Sequence, residues 1–371
     1  MANRNKIDIW ILIPVLMLML FSIGVVYSAS SAFALEKFQD SNYLIKQHAI
    51  KIIISIVVIF AIARIDYINL KGIAKPLIWL AIVLLIFTLF SGKGPIKGAS
   101  RWINLGPFSF QPSEFARYAV VIYVAFLLTK KKDYMDLLYR GYLPVLFYVL
   151  IISGLILIQP NFSISSIIFM TCMGMIFLSS AKKKHIIFTF TALLPFAILF
   201  VLSKDYIMKR ITSYSEYSSD GSTSYQLQQA LIGFGNGGLF GIGPGNSNQR
   251  DFFLPEAHGD FIFSIIGEEY GFIGTLIILS LYFVIAVRGF KIAKESKDEF
   301  GKYIAFGITV LIVLNAVINM SVASGVIPTT GVTLPFVSYG GTSIIFSALA
   351  IGILLNISSH RDEISDELVI E

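Results

Sequence analysis

Cysteine is almost absent. Cys172 is the only one among 371 residues, and it lies inside an apolar segment. An internal disulfide is therefore excluded, and core packing is the expected role of that thiol. Histidine is scarce too: His48, His185, His258 and His360 are scattered, with no metal-ligand spacing. Charge is the third shortage. Asp, Glu, Lys and Arg make up 14% of the chain, where a soluble domain carries about 25%. With 56% hydrophobic residues and a mean hydropathy of +0.76, an ordinary soluble globule is excluded. The class this implies is an all-α polytopic membrane protein. A net charge of +6 would suggest nucleic acid as the partner of a soluble protein. Here the basic residues sit in short connections, where membrane orientation explains them, and no nucleic-acid partner is expected.

What the chain does have is long apolar runs. Ten are long enough to approach the ~30 Å of a bilayer core. They cover Ile9–Ser28, Tyr43–Ala63, Pro76–Phe90, Ser113–Thr129, Tyr142–Ile158, Phe162–Ser179, Ile186–Leu202, Asp260–Val287, Tyr303–Ser324 and Val337–Asn356. The expected fold is one bundle of about ten transmembrane helices spanning residues 1–371, with one large extracytoplasmic loop over about 203–259. The first run could pass for a signal peptide, with Arg4 and Lys6 ahead of it and SASSAFA behind. It is too long for a typical signal core and many spans follow, so an uncleaved first span is expected. Ten crossings put both termini on one side. Connections on that side hold 18 of the 29 Lys and Arg, and those on the other side hold 9. This asymmetry predicts cytoplasmic termini.

Three motifs then face outward. The first runs from Lys97 to Arg117, KGASRWINLGPFSFQPSEFAR. Ser113 is placed to cap a helix, and Glu114 and Arg117 share a helix face three residues apart. That pair either pins helix packing or, with Arg101, lines a site for an anion. The second runs from Tyr225 to Gly274 and carries GFGNGG at residues 233–238. The letters match a dinucleotide fingerprint, but no strand or βαβ unit surrounds them, so the glycines read as a tightly turned loop. TSYQLQQALIGF before it reads as a short amphipathic helix at the membrane surface. Next, LPEAHGD brings Glu256, His258 and Asp260 to the start of a span. A carboxylate there is either a helix cap or a partly desolvated base. Glu268 and Glu269 follow inside the apolar run, and Glu268 is expected near the face of Asp260. The third motif, Gly325 to Ser343, interrupts the apolar pattern with two prolines and offers Thr329, Thr330, Ser338 and Tyr339 for sugar or phosphate oxygens.

Together, RWINLGPFSFQPSE, GGLFGIGPGNSNQRDFFLPEAHGDFIFSIIGEEYGFIG and PTTGVTLPFVSYGGTS closely resemble the SEDS (shape, elongation, division and sporulation) family of bacterial peptidoglycan polymerases. The resemblance covers essentially the whole chain, in order. PEAH ahead of the aspartate looks more like the division members (FtsW) than the elongation members (RodA). The resemblance implies an inverting glycosyltransferase that polymerises lipid II at the outer face of the cytoplasmic membrane and releases undecaprenyl pyrophosphate. It implies Asp260 as the catalytic base. It implies Arg101, Lys97, Arg117 and Arg210 as candidates to hold the pyrophosphate, and supporting positions at Glu114 and Glu269, with Glu256 beside the base. A class B penicillin-binding protein and other division proteins are the implied partners. A divalent cation, Mg2+ or Mn2+, is left open, with no recognisable metal site.

Departures from the family pattern are Arg117 for a usual Lys, Gly259 for a usual Thr, and Gln159-Pro160-Asn161-Phe162-Ser163 at a turn that usually carries an acid and a glycine. A lipid II flippase and a non-catalytic division scaffold stand as the alternatives from other classes.

Overall fold

The computed structural model describes residues 7–90, 101–105, 108–220, 225–249, 254 and 257–360. Eight of its helices are long and apolar enough to cross a membrane. They are α1 (Ile9–Phe38), α2 (Tyr43–Ile62), α3 (Leu70–Phe90), α4 (Pro112–Lys130), α5 (Leu143–Ile158), α7 (Lys183–Ser203), α10 (Ile262–Lys294) and α11 (Glu299–Ala323), with α3 and α5 each extended by a preceding turn. Two shorter apolar helices, α6 (Phe162–Leu178) and α12 (Ser343–Ser358), occupy the remaining expected runs. The exterior is apolar: Trp10, Phe87, Phe90, Phe188, Phe196 and Phe283 are all exposed. Water would not tolerate such a surface, whereas lipid does, so this is a multi-pass membrane protein.

The centre of the bundle is α4, whose side chains are nearly all buried. α7, by contrast, packs mainly along α6 and a following helix, α8 (Asp205–Asp220), with Thr189 also bonded to the Tyr142 hydroxyl at 2.6 Å. At the start of α1, the Asp8 N–H donates to Ser358 Oγ at 3.0 Å. The Asp8 carboxylate accepts from Arg288 Nε at 3.1 and 3.2 Å. The entry to α1, the exit of α12 and the last turns of α10 therefore meet at one end of the bundle. An even number of crossings requires this.

Several expectations need correction. The large loop contains the expected amphipathic helix, α9 (Tyr225–Gly237), and also α8, which was not expected. Between α3 and α4 stands a small hairpin, β1 (Ile103–Leu105) antiparallel to β2 (Phe108–Phe110), where the sequence suggested only a polar loop. Ser113 does not cap α4, since the capping position is Gln111 and the buried Ser113 hydroxyl has no partner among the described residues. Asp260 does not cap α10, where Phe261 holds that place. The aspartate lies in the turn just before the helix.

The glycine-rich run has a specific job. α10 breaks at Gly271, whose φ is 65°. In an unbroken helix the amides of 272 and 273 would donate to the carbonyls of 268 and 269. Instead Phe272 and Ile273 donate to Gly238 O (2.9 Å) and Leu239 O (3.2 Å), while Glu268 O and Glu269 O accept from Ile242 (3.0 Å) and Gly243 (3.0 Å). The loop replaces both lost helical bonds, which is how a broken helix is tolerated at membrane depth. The exchange demands contact between backbones. A Cβ on Gly241 (φ +82°) would stand 2.1 Å from Glu269 O. Gly241→Ala is therefore expected to destabilise the protein by about 2–4 kcal/mol, read as a lowered thermal transition of the detergent-purified protein.

Glu268 anchors the same loop. Its buried carboxylate accepts from Ser247 Oγ, from Asn236 Nδ2 at 3.2 Å and from the Gln249 N–H at 3.3 Å. It therefore does not share a cavity with Asp260, as its position in the sequence suggested.

Candidate active site

A cavity of about 620 Å3 opens at the end of the bundle opposite the termini. Its wall includes Arg101 before β1, Glu114 and Arg117 of α4, Arg210 of α8, Asp260 ahead of α10, and Tyr339. Five separate parts of the chain thus converge on it.

Asp260 is half-buried in this wall. Asn319 of α11 fixes its backbone: Nδ2 donates to Asp260 O at 2.8 Å and to Val332 O at 2.7 Å. That one amide joins the aspartate turn to the irregular segment between α11 and α12. Two further bonds join the same pieces. Ser338 Oγ donates to Gly259 O at 2.7 Å, and the Tyr339 N–H donates to His258 O at 2.8 Å. Gly331 stands beside the carboxylate, where its φ of +77° favours glycine. The aspartate turn is therefore fixed through its backbone by α11 and by the segment between α11 and α12.

The cations differ in how they are held. Arg101 Nε donates to Gln159 O at 3.0 Å, and its Nη2 donates to Pro160 O. This clamps it to the turn between α5 and α6. Burial, and secondly the neighbouring Arg210, push the Arg101 pKa below its ordinary value. Arg210 Nη1 donates to Thr330 O at 3.1 Å. Arg117 is committed differently. Its guanidinium pairs with Glu114 at 2.7 Å, both side chains being almost fully buried, and its further contacts are with Asn315 and Ser343. Of the two readings of this pair, the packing one fits the geometry, and the pair also forms part of the cavity wall.

Other residues assigned to substrate lie elsewhere. His258 is not in the cavity wall; its ring packs against Phe33 at 5.3 Å and Tyr339 at 5.6 Å. Ser338 is buried and occupied with the backbone of Gly259 and Leu334. Neither Thr329 nor Thr330 lines the cavity, although Thr330 O receives Arg210 and Ser163. Tyr339 does line it, but its hydroxyl donates to Gln47 Oε1 at 2.8 Å. Glu269 lies away from the cavity and accepts from Ser28 Oγ. Lys97 and Glu256 fall outside the described residues.

The departures from the family pattern are absorbed locally. Asn161 Oδ1 caps α6 by accepting from the Ile164 N–H at 3.4 Å. The Ser163 hydroxyl donates to Thr330 O at 3.3 Å, a bond a glycine could not make.

The sequence did not point to Tyr206 or Asn315 in the wall, nor to Lys51 behind it. Lys51 sits in α2, with its Nζ 4.4 Å from the centre of the Tyr339 ring and 3.5 Å from Gly340 O. A lysine in the middle of an apolar run was the available signal. Among the described residues, no group of three or more His, Cys, Asp or Glu side chains could hold a metal ion.

A family model described as "Cell cycle protein", covering FtsW, RodA and SpoVE, matches residues 9–363. The chain belongs to the FtsW/RodA/SpoVE family. The probable peptidoglycan glycosyltransferase FtsW of Trichlorobacter lovleyi is 40% identical over 354 residues, covering 95% of this chain and 93% of that protein. Stage V sporulation protein E of Bacillus subtilis is 38% identical over 361 residues, covering 97% and 99%. Among solved structures, a chain of a peptidoglycan synthase complex that coordinates polymerization and crosslinking superposes with a TM-score of 0.78 at 25% identity, covering 95% of this chain and 97% of that one. The RodA crystal structure from Thermus thermophilus gives 0.70 at 23% identity, covering 96% and 98%, and shares the fold.

Proposed function

We propose that this FtsW-type member is a peptidoglycan glycosyltransferase that polymerises lipid II for septal wall synthesis. The observation that carries this is the cavity that sets the Asp260 carboxylate in one wall with Arg101 and Arg210. Glycosyl transfer from a pyrophosphate needs a base at one reacting oxygen and positive charge at the other. The C4 hydroxyl of a lipid II GlcNAc attacks the anomeric carbon of the strand's terminal MurNAc. Its proton passes to Asp260. The bond from that carbon to the phosphate oxygen breaks, and the electron pair leaves with undecaprenyl pyrophosphate, whose charge Arg101 and Arg210 face. Attack opposite the leaving group inverts the anomeric centre.

Orientation supports the same assignment. The end carrying the termini also carries most of the basic residues, which supports a cytoplasmic position for it and an outer-face position for the cavity in the bacterial inner membrane. A flippase would need polar groups at successive depths, whereas Asp260, Arg101, Arg210 and the Glu114–Arg117 pair gather around one end. The names of the curated relatives favour the division role over elongation. A class B penicillin-binding protein is the expected partner, in keeping with the complex that supplies the structural match.

The test is polymerisation of purified lipid II by the purified protein, alone and with that transpeptidase. Glycan strands from the pair support the assignment. Transbilayer movement of lipid II without strand formation would sink it.

A further inference from the structure

Tyr206, at the start of α8, lines the cavity beside the two arginines. Its hydroxyl oxygen is buried and has no hydrogen-bond partner of good geometry among the described residues. The one backbone group acting on it is the Phe162 N–H, a weak donor at the start of α6. Burial raises the phenol's pKa above its ordinary value, and Arg101 and Arg210 pull against that rise. The phenol therefore keeps its proton at neutral pH. The N–H and the two guanidinium groups act on its oxygen, and among the described residues its own O–H has no acceptor.

The arginines around it are equally unbalanced. Both are held by backbone carbonyls, Arg101 by Gln159 and Pro160 and Arg210 by Thr330. Among the described residues neither forms an ion pair with a carboxylate. Two like charges set side by side at a half-buried site repel each other until an anion joins them. Carbonyl clamps fix their positions without cancelling their charge. Three donors thus converge on one region of the cavity; the Asp260 carboxylate acts on Arg101 there, but among the described residues no acceptor bonds the Tyr206 hydroxyl, and buried polar groups are rarely left so.

We propose that Tyr206 is a substrate-contacting residue, its hydroxyl donating a hydrogen bond to a phosphate oxygen of the polyprenyl-linked pyrophosphate and completing a three-donor cradle with Arg101 and Arg210. This rests on the polymerase assignment above and adds to it the residue that distinguishes a pyrophosphate from a bare polyprenyl chain. It also gives α8 a function, because that helix delivers two of the three donors.

The test is binding of undecaprenyl pyrophosphate to the purified full-length protein, with undecaprenol as the tail-only control. Tyr206→Phe keeps the ring and removes only the donor. It is expected to raise the Kd for undecaprenyl pyrophosphate about tenfold and to leave undecaprenol binding unchanged. An unchanged Kd overturns the proposal. An equal loss for both lipids also overturns it, because that marks a packing role. The polymerase assignment fails differently: wild-type protein that binds undecaprenyl pyrophosphate through Tyr206 but makes no glycan strands would refute polymerisation and leave the cradle standing.

Discussion

Asp260→Asn is expected to lower the rate of glycan-strand formation from lipid II by about 10²–10⁴-fold, the range a positioned general base supplies. Asparagine has almost the same shape, and three bonds that hold the aspartate turn use its backbone. Asn319 donates to the Asp260 carbonyl, Ser338 to that of Gly259 and Tyr339 to that of His258. The variant should therefore fold, enter the membrane and co-purify with its transpeptidase. Its loss should fall on kcat. Removing a negative charge near Arg101 leaves the cations less balanced, so undecaprenyl pyrophosphate should bind no more weakly than to wild type. Measuring the polymerisation rate and product binding on the same preparation separates the two effects. A variant that polymerises at the wild-type rate would remove Asp260 from the role of base. One that loses binding and rate together would make it a ligand instead.

Much of this site could be read from residue types, and the unread part has a physical explanation. An apolar run long enough to cross a bilayer has few folding options, so the ten runs all became helices. α8 was missed because DYIMKRITSYSEYSSD is too polar to register as a span. Its signal was amphipathic: Tyr206 and Arg210 lie four residues apart and reach the same cavity. Asp260 stood out because a carboxylate beside an apolar run is costly, but its residue type left cap and base both open, and only the family resemblance pointed to a base. Its supports did not stand out. Asn319 lies 59 positions away in the chain, and Ser338 acts on Gly259 across 79. Pairings at such separations are set by how helices pack, which no local pattern shows. The hydroxyl-rich third motif misled for the same reason. Ser338 could have faced a sugar or a carbonyl of its own chain, and only the packing decides between them. The glycine run was readable as a close approach, yet not as the piece that completes a broken helix, because the break at Gly271 lies some thirty residues on.

Glu114→Gln is expected to destabilise the protein by about 3–5 kcal/mol, the penalty for stranding one member of a buried pair. The carboxylate is 2.7 Å from Arg117, and the two side chains are 5% and 4% exposed. Asn315 and Ser343 stand at 3.5 and 3.3 Å from the guanidinium, too far to replace a charge. Glutamine would preserve volume and one acceptor oxygen while leaving a full positive charge at the centre of the bundle. Arg117→Met alone should also destabilise, because it strands the carboxylate. The double variant should recover much of the loss, since an apolar pair of similar volume carries no desolvation penalty. Thermal unfolding of the four proteins in one detergent closes this cycle. Two additive losses would mean that the residues do not act as a pair. Activity gives a second discrimination. If Arg117 serves packing, the folded double variant should bind undecaprenyl pyrophosphate nearly as well as wild type. If its charge also serves the cavity, stability will return without binding, and Arg117 will join Arg101 and Arg210 as a pyrophosphate ligand.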